Sequence, residues 1–244
     1  MDSGYYAACA GLRAQTQTLE LIANNVANTS TSGYRGQQAR FSSMLMSSAG
    51  LDAGPLNRAV NDFNVLEGSH LDLSPGNLET TGNPLDFAIE GNGFFAVQSK
   101  QGTLYTRDGG FQLSPNGSLT TSAGQAVLGE QGPITLPTGP LSISGDGTIS
   151  VNGAVSGKLL LVEFVPGASP QALGGSLYAA EASAVQPSPE SAVRQGMKES
   201  SNVNAVMAVT EMIAVQRRAE MLERAMSAFH STLNHIAASD LPKV

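Results

Sequence analysis

The sequence predicts a mixed α and β fold in which a long helix at each end forms a coiled-coil-like layer and the middle forms an all-β antiparallel domain. Apolar residues recur at helical spacing over residues 3–28 and 204–238. Between residues 84 and 185 the pattern changes to short runs separated by glycine turns. Because the two helices are far apart in the chain, neither can cover its apolar face by local contacts, so each must pack on the other or on another molecule.

The first helix carries a seven-residue apolar repeat. The repeat consists of Tyr5, Leu12, Leu19 and Val26. Ala8, Ile22 and Ala23 fall between the members of this repeat. The helix is expected to end near Asn28, because the sequence TSTSG at 29–33 supplies turn chemistry.

The last helix carries two apolar series offset by four residues. The first series is Ala208, Val215, Leu222, Phe229 and Ile236, and the second is Met212, Ala219, Met226 and Leu233. Together they predict a narrow seam of the coiled-coil kind. A lone helix gains nothing from an uncovered seam, so we expect both ends of the chain to be loosely ordered in the free subunit and to become fixed on assembly. The periodicity equally allows an ordinary hairpin of the two helices within one chain.

The middle of the chain reads as a compact antiparallel sandwich or barrel-like domain, because turn signals recur about every eight to twelve residues. Two apolar runs, 86–90 and 94–98, flank the sequence GNG and predict a hairpin. A second turn is predicted at Asn152-Gly153. The expected organisation is an N-terminal helix and motif at 1–35, an extended connection at 36–83, the β domain at 84–185, a return connection at 186–203 and the C-terminal helix at 204–244.

Composition and charge exclude several classes of protein. The chain has 13 Lys and Arg residues against 20 Asp and Glu, for a formal charge of −7, which argues against binding to a nucleic-acid backbone. No apolar run is long enough for membrane insertion, and the N-terminus has no signal-peptide pattern. The single cysteine, Cys9, excludes an intrachain disulfide.

No residue pattern predicts catalysis, a cofactor or a metal site. The stretch 91–96 has the G-x-G-x-x-A form of a dinucleotide fingerprint, but its apolar residues continue as a strand instead of opening a helix. His230 and His235 are five residues apart on a helix and cannot share one ion. The sequence SGDG at 144–147 lacks the later ligands of a calcium loop and reads as a tight turn.

Three stretches, taken together, carry a family resemblance. They are IANNVANT at 22–29 with GYR at 33–35, TGNPLDFAIEGNGFF at 81–95 with YTRDG at 105–109, and SNVN at 201–204 with EMI at 211–213 and QRRAEM at 216–221. In this order and spacing they resemble the flagellar basal-body rod and hook family. The length, the opening residues and the Arg217-Arg218 pair resemble proximal rod subunits more than distal ones.

The resemblance implies a structural subunit of the bacterial flagellar basal-body rod, and no enzyme. Its terminal helices would stack into the inner layers of a helical tube that transmits torque, with the β domain outside. Its partners would be other rod subunits, proximal and distal, and the flagellar export apparatus, which would deliver it to the periplasmic rod without a cleaved signal peptide. A distal rod or hook-type axial subunit, or a non-flagellar secreted β-rich binding module, remain the alternatives.

The expected assembly interface combines the apolar repeats with the asparagines of the first motif. Its residues are Tyr5, Leu12, Leu19, Ile22, Asn24, Asn25, Val26, Asn28, Met212, Val215, Leu222, Met226, Phe229, Leu233 and Ile236. Two roles are open for the asparagines. Their amides can cap the helix end and the following turn, or they can bond neighbouring subunits at positions where a charge would cost more to bury.

Overall fold

The computed structural model describes residues 2–43, 64–100 and 102–239. These residues form two α-helices, α1 (Asp2–Ala27) and α2 (Ala205–Ser239), nineteen short strands and one 3-10 helix (Ala182–Ala184). The strands are β1 (Gln37–Ser43), β2 (Asn64–Leu71), β3 (Leu78–Thr80), β4 (Phe87–Glu90), β5 (Phe94–Ser99), β6 (Gly102–Thr106), β7 (Gln112–Leu113), β8 (Leu119–Thr120), β9 (Ala126–Gly129), β10 (Gly132–Pro133), β11 (Leu141–Ile143), β12 (Thr148–Val151), β13 (Ala154–Lys158), β14 (Leu161–Phe164), β15 (Gln171–Gly174), β16 (Leu177–Ala179), β17 (Val185–Pro187), β18 (Ala192–Gln195) and β19 (Met197–Glu199). The mixed α and β fold class is therefore confirmed.

The chain divides into two compact units. A helical unit contains Met1–Val26, Gln37–Ser69 and Ala205–Val244, and a β unit contains Ala27–Gly36 and His70–Asn204. Within the ranges that the structure describes, no helix is both long enough and apolar enough to cross a membrane.

In the helical unit, α2 forms without interruption because its 35 residues include no glycine or proline. Its buried and half-buried side chains follow the predicted seam. They include Ala208, Met212, Val215, Ala219, Leu222 and Met226. The helix α1 contacts this seam, since a Cβ placed on Gly11 would lie 3.4 Å from a methyl carbon of Leu222.

The β unit is built around a ten-stranded antiparallel sheet. Seven of its strands follow the order β15-β16-β6-β5-β9-β8-β7, with β10 paired to β9 and β14 paired to both β5 and β17. The strand β5 is buried on both faces: Phe95 and Val97 belong to one apolar cluster, and Phe94 and Ala96 to another. The larger cluster also takes residues from β4, β12 and β18, so it joins the large sheet to two smaller ones.

The predicted hairpin across the GNG turn is wrong. The strand β4 pairs with β18, in the register Phe87 to Gln195 and Glu90 to Ala192, whereas β5 pairs with β6, β9 and β14. The turn therefore carries the chain from one sheet to another. Alternation of apolar and polar residues marks a strand but does not identify the strand that pairs with it. Ser191, next to β18, accepts a hydrogen bond from the Gly93 backbone amide of the turn at 2.9 Å.

Other turn and strand predictions are confirmed. Asn152 and Gly153 have φ angles of 53° and 80°, as a two-residue I′ turn requires, and they join β12 to β13. Phe94 begins a strand, so no helix follows the glycines of the G-x-G-x-x-A match. The residues 144–147 form a turn in which the Gly147 amide donates to the Ser144 carbonyl at 2.9 Å.

Candidate assembly surface and charged junction

The structure places the predicted interface residues of α1 at different depths. Ile22 is buried, and Leu12, Leu19 and Val26 are half-buried. The side chain of Tyr5 lies outside the described residues, as do those of Phe229, Leu233 and Ile236 on α2. Of the other predicted α2 residues, Val215 is buried and Met212, Leu222 and Met226 are half-buried.

Small residues are as deeply covered on α1 as large ones. Ala8, Ala14 and Thr18 are buried, and Gly11 lies against Leu222. The buried Thr18 hydroxyl donates a hydrogen bond to the Ala14 carbonyl at 2.8 Å. Sequence reasoning named Ala8 but missed Gly11, Ala14 and Thr18, because small residues do not stand out in a search for large apolar ones.

The asparagines of the first motif make contacts within the chain. The Asn25 side chain donates to the Gln37 carbonyl at 2.7 Å and accepts from the Gln37 amide at 2.9 Å, which joins the end of α1 to the start of β1. Asn28 accepts a hydrogen bond from the Thr31 hydroxyl at 3.1 Å. The side chain of Asn24 is exposed. Asn25 and Asn28 thus act at the helix end and the following turn.

A second apolar stripe runs along the outside of α2. It consists of Val206, Met207, Val209, Ile213 and Met221, which are 76%, 70%, 43%, 48% and 61% exposed. At about 100° of rotation per residue, these five side chains spread over roughly 160° on the side of α2 opposite the seam, and the exposed Arg217 and Arg224 lie among them. The sequence signal for it was present in the i, i+3, i+7 spacing of Val206, Val209 and Ile213, but the seam series on the same helix obscured it.

The β unit contains a buried charged junction, defined here as Arg35, Arg107 and Glu199. An Arg35 guanidinium nitrogen lies 2.6 Å from one carboxylate oxygen of Glu199, and an Arg107 nitrogen lies 2.9 Å from the other. All three side chains are fully buried. The junction carries a formal charge of +1, which is costly to bury unless every contact is in place.

Arg107 has further partners inside the β unit. It donates to the Ile89 carbonyl at 3.2 Å and to the Gly91 carbonyl at 2.6 Å, and its guanidinium lies 4.8 Å from the centre of the Phe94 ring. Burial lowers the pKa of Arg107 to about 10, while the Glu199 charge acts in the opposite direction. Arg107 is therefore a cation at neutral pH.

Tyr178 holds the segment next to Arg35. Its hydroxyl accepts from the Arg35 amide at 2.8 Å and donates to the Gly33 carbonyl at 3.3 Å. Burial raises the pKa of Tyr178 to about 12. Gly33 itself has a φ of +66°, and a Cβ there would lie 2.2 Å from the Asp108 amide nitrogen, so only glycine fits this close approach.

The match to known proteins covers both ends and the centre. Residues 6–35 match the family model described as flagella basal body rod protein, residues 88–155 match the flagellar hook protein FlgE/F/G D1 domain, and residues 194–238 match the flagellar basal body rod FlgEFG protein C-terminal. The chain is 35% identical to a flagellar basal-body rod protein FlgF of Mesorhizobium japonicum, over 90% of each chain. It belongs to the flagellar basal-body rod protein family.

Rod proteins with two different names are similarly related to this chain. The FlgF of Escherichia coli is 35% identical, over 93% of this chain and 94% of its own length. The FlgG of Agrobacterium fabrum is 34% identical, over 88% and 90%. Membership of this family of rod proteins agrees with the prediction of a structural protein that is not an enzyme.

The charged junction takes one residue from each matched stretch. Arg35 is the last residue of the first, Arg107 lies within the second, and Glu199 lies within the third. Arg35 and Arg107 fall inside motifs that carried the resemblance, but no spacing rule connected them, and Glu199 precedes the third motif by two residues. Only the fold brings the three together.

Proposed function

We propose that this protein is a structural subunit of the flagellar basal-body rod and that it assembles with other subunits through its terminal helices. The observation that carries the proposal is the second apolar stripe of α2. One side of this helix lies in the seam, and the other side exposes five large apolar residues. Large apolar residues that stay exposed opposite a buried side indicate that the helix has a second partner.

Covering the stripe would stabilise an assembly appreciably. The exposed fractions of the five side chains together equal about three whole side chains, so their burial would contribute roughly 4–9 kcal/mol per subunit. The outward residues of α1 are mostly polar, among them Arg13, Thr16 and Glu20. The apolar contact between subunits is therefore assigned to α2. Contacts between different surfaces of successive copies generate a helical tube when they do not close into a ring.

The partners in this proposal are other rod subunits of the FlgF and FlgG kinds, with the protein itself of the FlgF, proximal kind. The predicted interface residues that the structure shows as buried or half-buried, such as Ile22 and Val215, would hold the two helices of one subunit together in this proposal, while the stripe would contact the next subunit. The subunit would reach the periplasmic rod through the flagellar export apparatus, without a cleaved signal peptide. The names of the relatives support the location in the rod.

The test is a pair of matched double variants in cells that lack the native copy. Val206→Ser with Ile213→Ser changes the stripe, while Val155→Ser with Leu173→Ser changes two exposed apolar residues of the β unit. Serine has about the helix propensity of valine and isoleucine, so α2 itself should still form. The stripe variant should be depleted at least tenfold from isolated basal bodies and should abolish motility.

The β-unit variant should assemble normally, and both purified proteins should unfold at the same denaturant concentration as the native chain. Normal incorporation of the stripe variant would reject α2 as the assembly surface. Equal loss with the two variants would show that the effect is not specific to the stripe.

A further inference from the structure

We infer that Glu199 is a latch that holds the chain following α1 and the chain preceding α2 against the β core, and that removing its charge frees these two segments while the core stays folded. The first segment is 33–36, and the second is 199–202. The latch is a property of the single subunit, so its test requires no assembly.

The two segments bind each other directly. The Gly33 amide donates to the Glu199 carbonyl at 2.8 Å, and the Asn202 amide donates to the Tyr34 carbonyl at 3.3 Å. In addition, the Gly36 backbone amide donates a hydrogen bond to the side-chain oxygen of Asn202 at 2.8 Å. Along the chain, the first segment begins six residues after α1 ends at Ala27, and the second segment ends three residues before α2 begins at Ala205.

The carboxylate of Glu199 ties this pair of segments to the rest of the β unit. One oxygen accepts from Arg35 at 2.6 Å and from the Gly76 amide at 2.7 Å, and the other accepts from Arg107 at 2.9 Å. Arg107 is held independently by the Ile89 and Gly91 carbonyls. Glu199 is thus the group through which Arg107, an arginine bound to the core, restrains the chain segments that follow α1 and precede α2.

Charge makes the latch depend on a single residue. With Glu199 ionised, two buried guanidiniums share one carboxylate. When glutamine replaces Glu199, both guanidiniums stay buried without a counter-charge. The N–H groups of the glutamine side chain then face other N–H donors, not acceptors. Opening the two segments lets Arg35 reach water, which relieves this repulsion without unpairing β5, β6 or β9.

The core has its own source of stability. The larger apolar cluster draws its buried residues from Phe87 onward to Val193, and neither segment contributes to it. Local opening of the segments therefore leaves this cluster covered, and free energies of opening can differ between the two regions.

The test is amide hydrogen exchange on the full-length protein and on Glu199→Gln. The amides of Gly33, Arg35, Gly36 and Asn202 should exchange about 100-fold faster in the variant, whereas those of Phe95 and Val97 should change less than about threefold. Glu90→Gln is the matched control, because Glu90 forms an ion pair with Arg194 at 2.8 Å that is more than half exposed. It should leave all these amides unchanged.

Arg35→Gln provides a second variant, since it leaves Arg107 and Glu199 as a balanced pair. Because this variant loses the bond from Arg35 to the Glu199 carboxylate, the amides of segment 33–36 should be freed, and those of β5 should be spared. An equal rise of exchange in the segments and in β5 would show that Glu199 supports the whole unit, and no change in the segments would show that its charge does not hold them. Either result, in either variant, would overturn the latch.

Discussion

Replacing Tyr178, which holds the segment next to Arg35, should change the stability of the protein by an amount that depends on pH. Tyr178→Phe removes one acceptor and one donor from a fully enclosed site, and it leaves the Arg35 amide without the bond of 2.8 Å that it makes in the native chain. A buried donor that loses its partner costs about 1–3 kcal/mol. We therefore expect the variant to be less stable than the native protein by about 2 kcal/mol at pH 7.

Raising the pH should shrink this difference. The pKa of Tyr178 is about 12 in the folded protein against 10.0 for a free tyrosine, so folding favours the neutral hydroxyl. Stability from this group is complete below pH 10 and is lost as the pH rises towards 12. The loss is about 1.4 kcal/mol at pH 11 and approaches about 2.7 kcal/mol above pH 12. The variant has no hydroxyl to ionise, so it escapes the loss.

The assay is urea unfolding of both proteins at pH 7, 9, 10 and 11, followed by far-ultraviolet circular dichroism. The gap between native and variant should stay near 2 kcal/mol up to pH 9 and fall to roughly 0.6 kcal/mol at pH 11. Other titrating groups, including Tyr34 and Tyr105, are common to both proteins and cancel in the difference. A gap that stays constant through pH 11 would refute the assignment of a raised pKa to a buried, hydrogen-bonded Tyr178.

Three further outcomes follow from packing. Gly109→Ala should destabilise the protein by about 3 kcal/mol or more in urea unfolding, because the new Cβ would lie 1.6 Å from the Phe87 carbonyl oxygen. Gly145→Ala is the control: a Cβ there meets no atom within 4 Å, so it should change stability by less than about 0.5 kcal/mol. Equal effects of the two glycine changes would contradict the close approach. Phe95→Ala should cost about 3–5 kcal/mol on thermal or urea unfolding, since this ring is fully buried in the larger cluster; a loss under 1 kcal/mol would mean that the site collapses around the gap. In the free subunit, amides of α1 and α2 should exchange at least about tenfold faster than those of β5, and helices as protected as β5 would argue against ends that become fixed on assembly.

Short-range chemistry made much of the fold predictable. The helix α2 has a regular apolar spacing and no helix-breaking residue, so its existence and the side of it that is buried could be predicted, whereas the exposed apolar residues on its other side were seen only in the structure. The Asn152-Gly153 turn could be predicted because its two residues are those that tolerate positive φ. The pairing of β4 with β18 could not be predicted. Alternation along a strand looks the same whether that strand pairs with the next one or with a strand about a hundred residues later.

The candidate sites divide in the same way. The sequence by itself determined the helical ends, the β centre and the three family motifs, because each rests on residues close together in the chain. Only the tertiary structure decided that Arg35, Arg107 and Glu199 meet in one buried cluster and that α2 keeps an uncovered apolar side. The physical reason is that burial and ion pairing depend on which distant segments come into contact, and no local spacing records that contact.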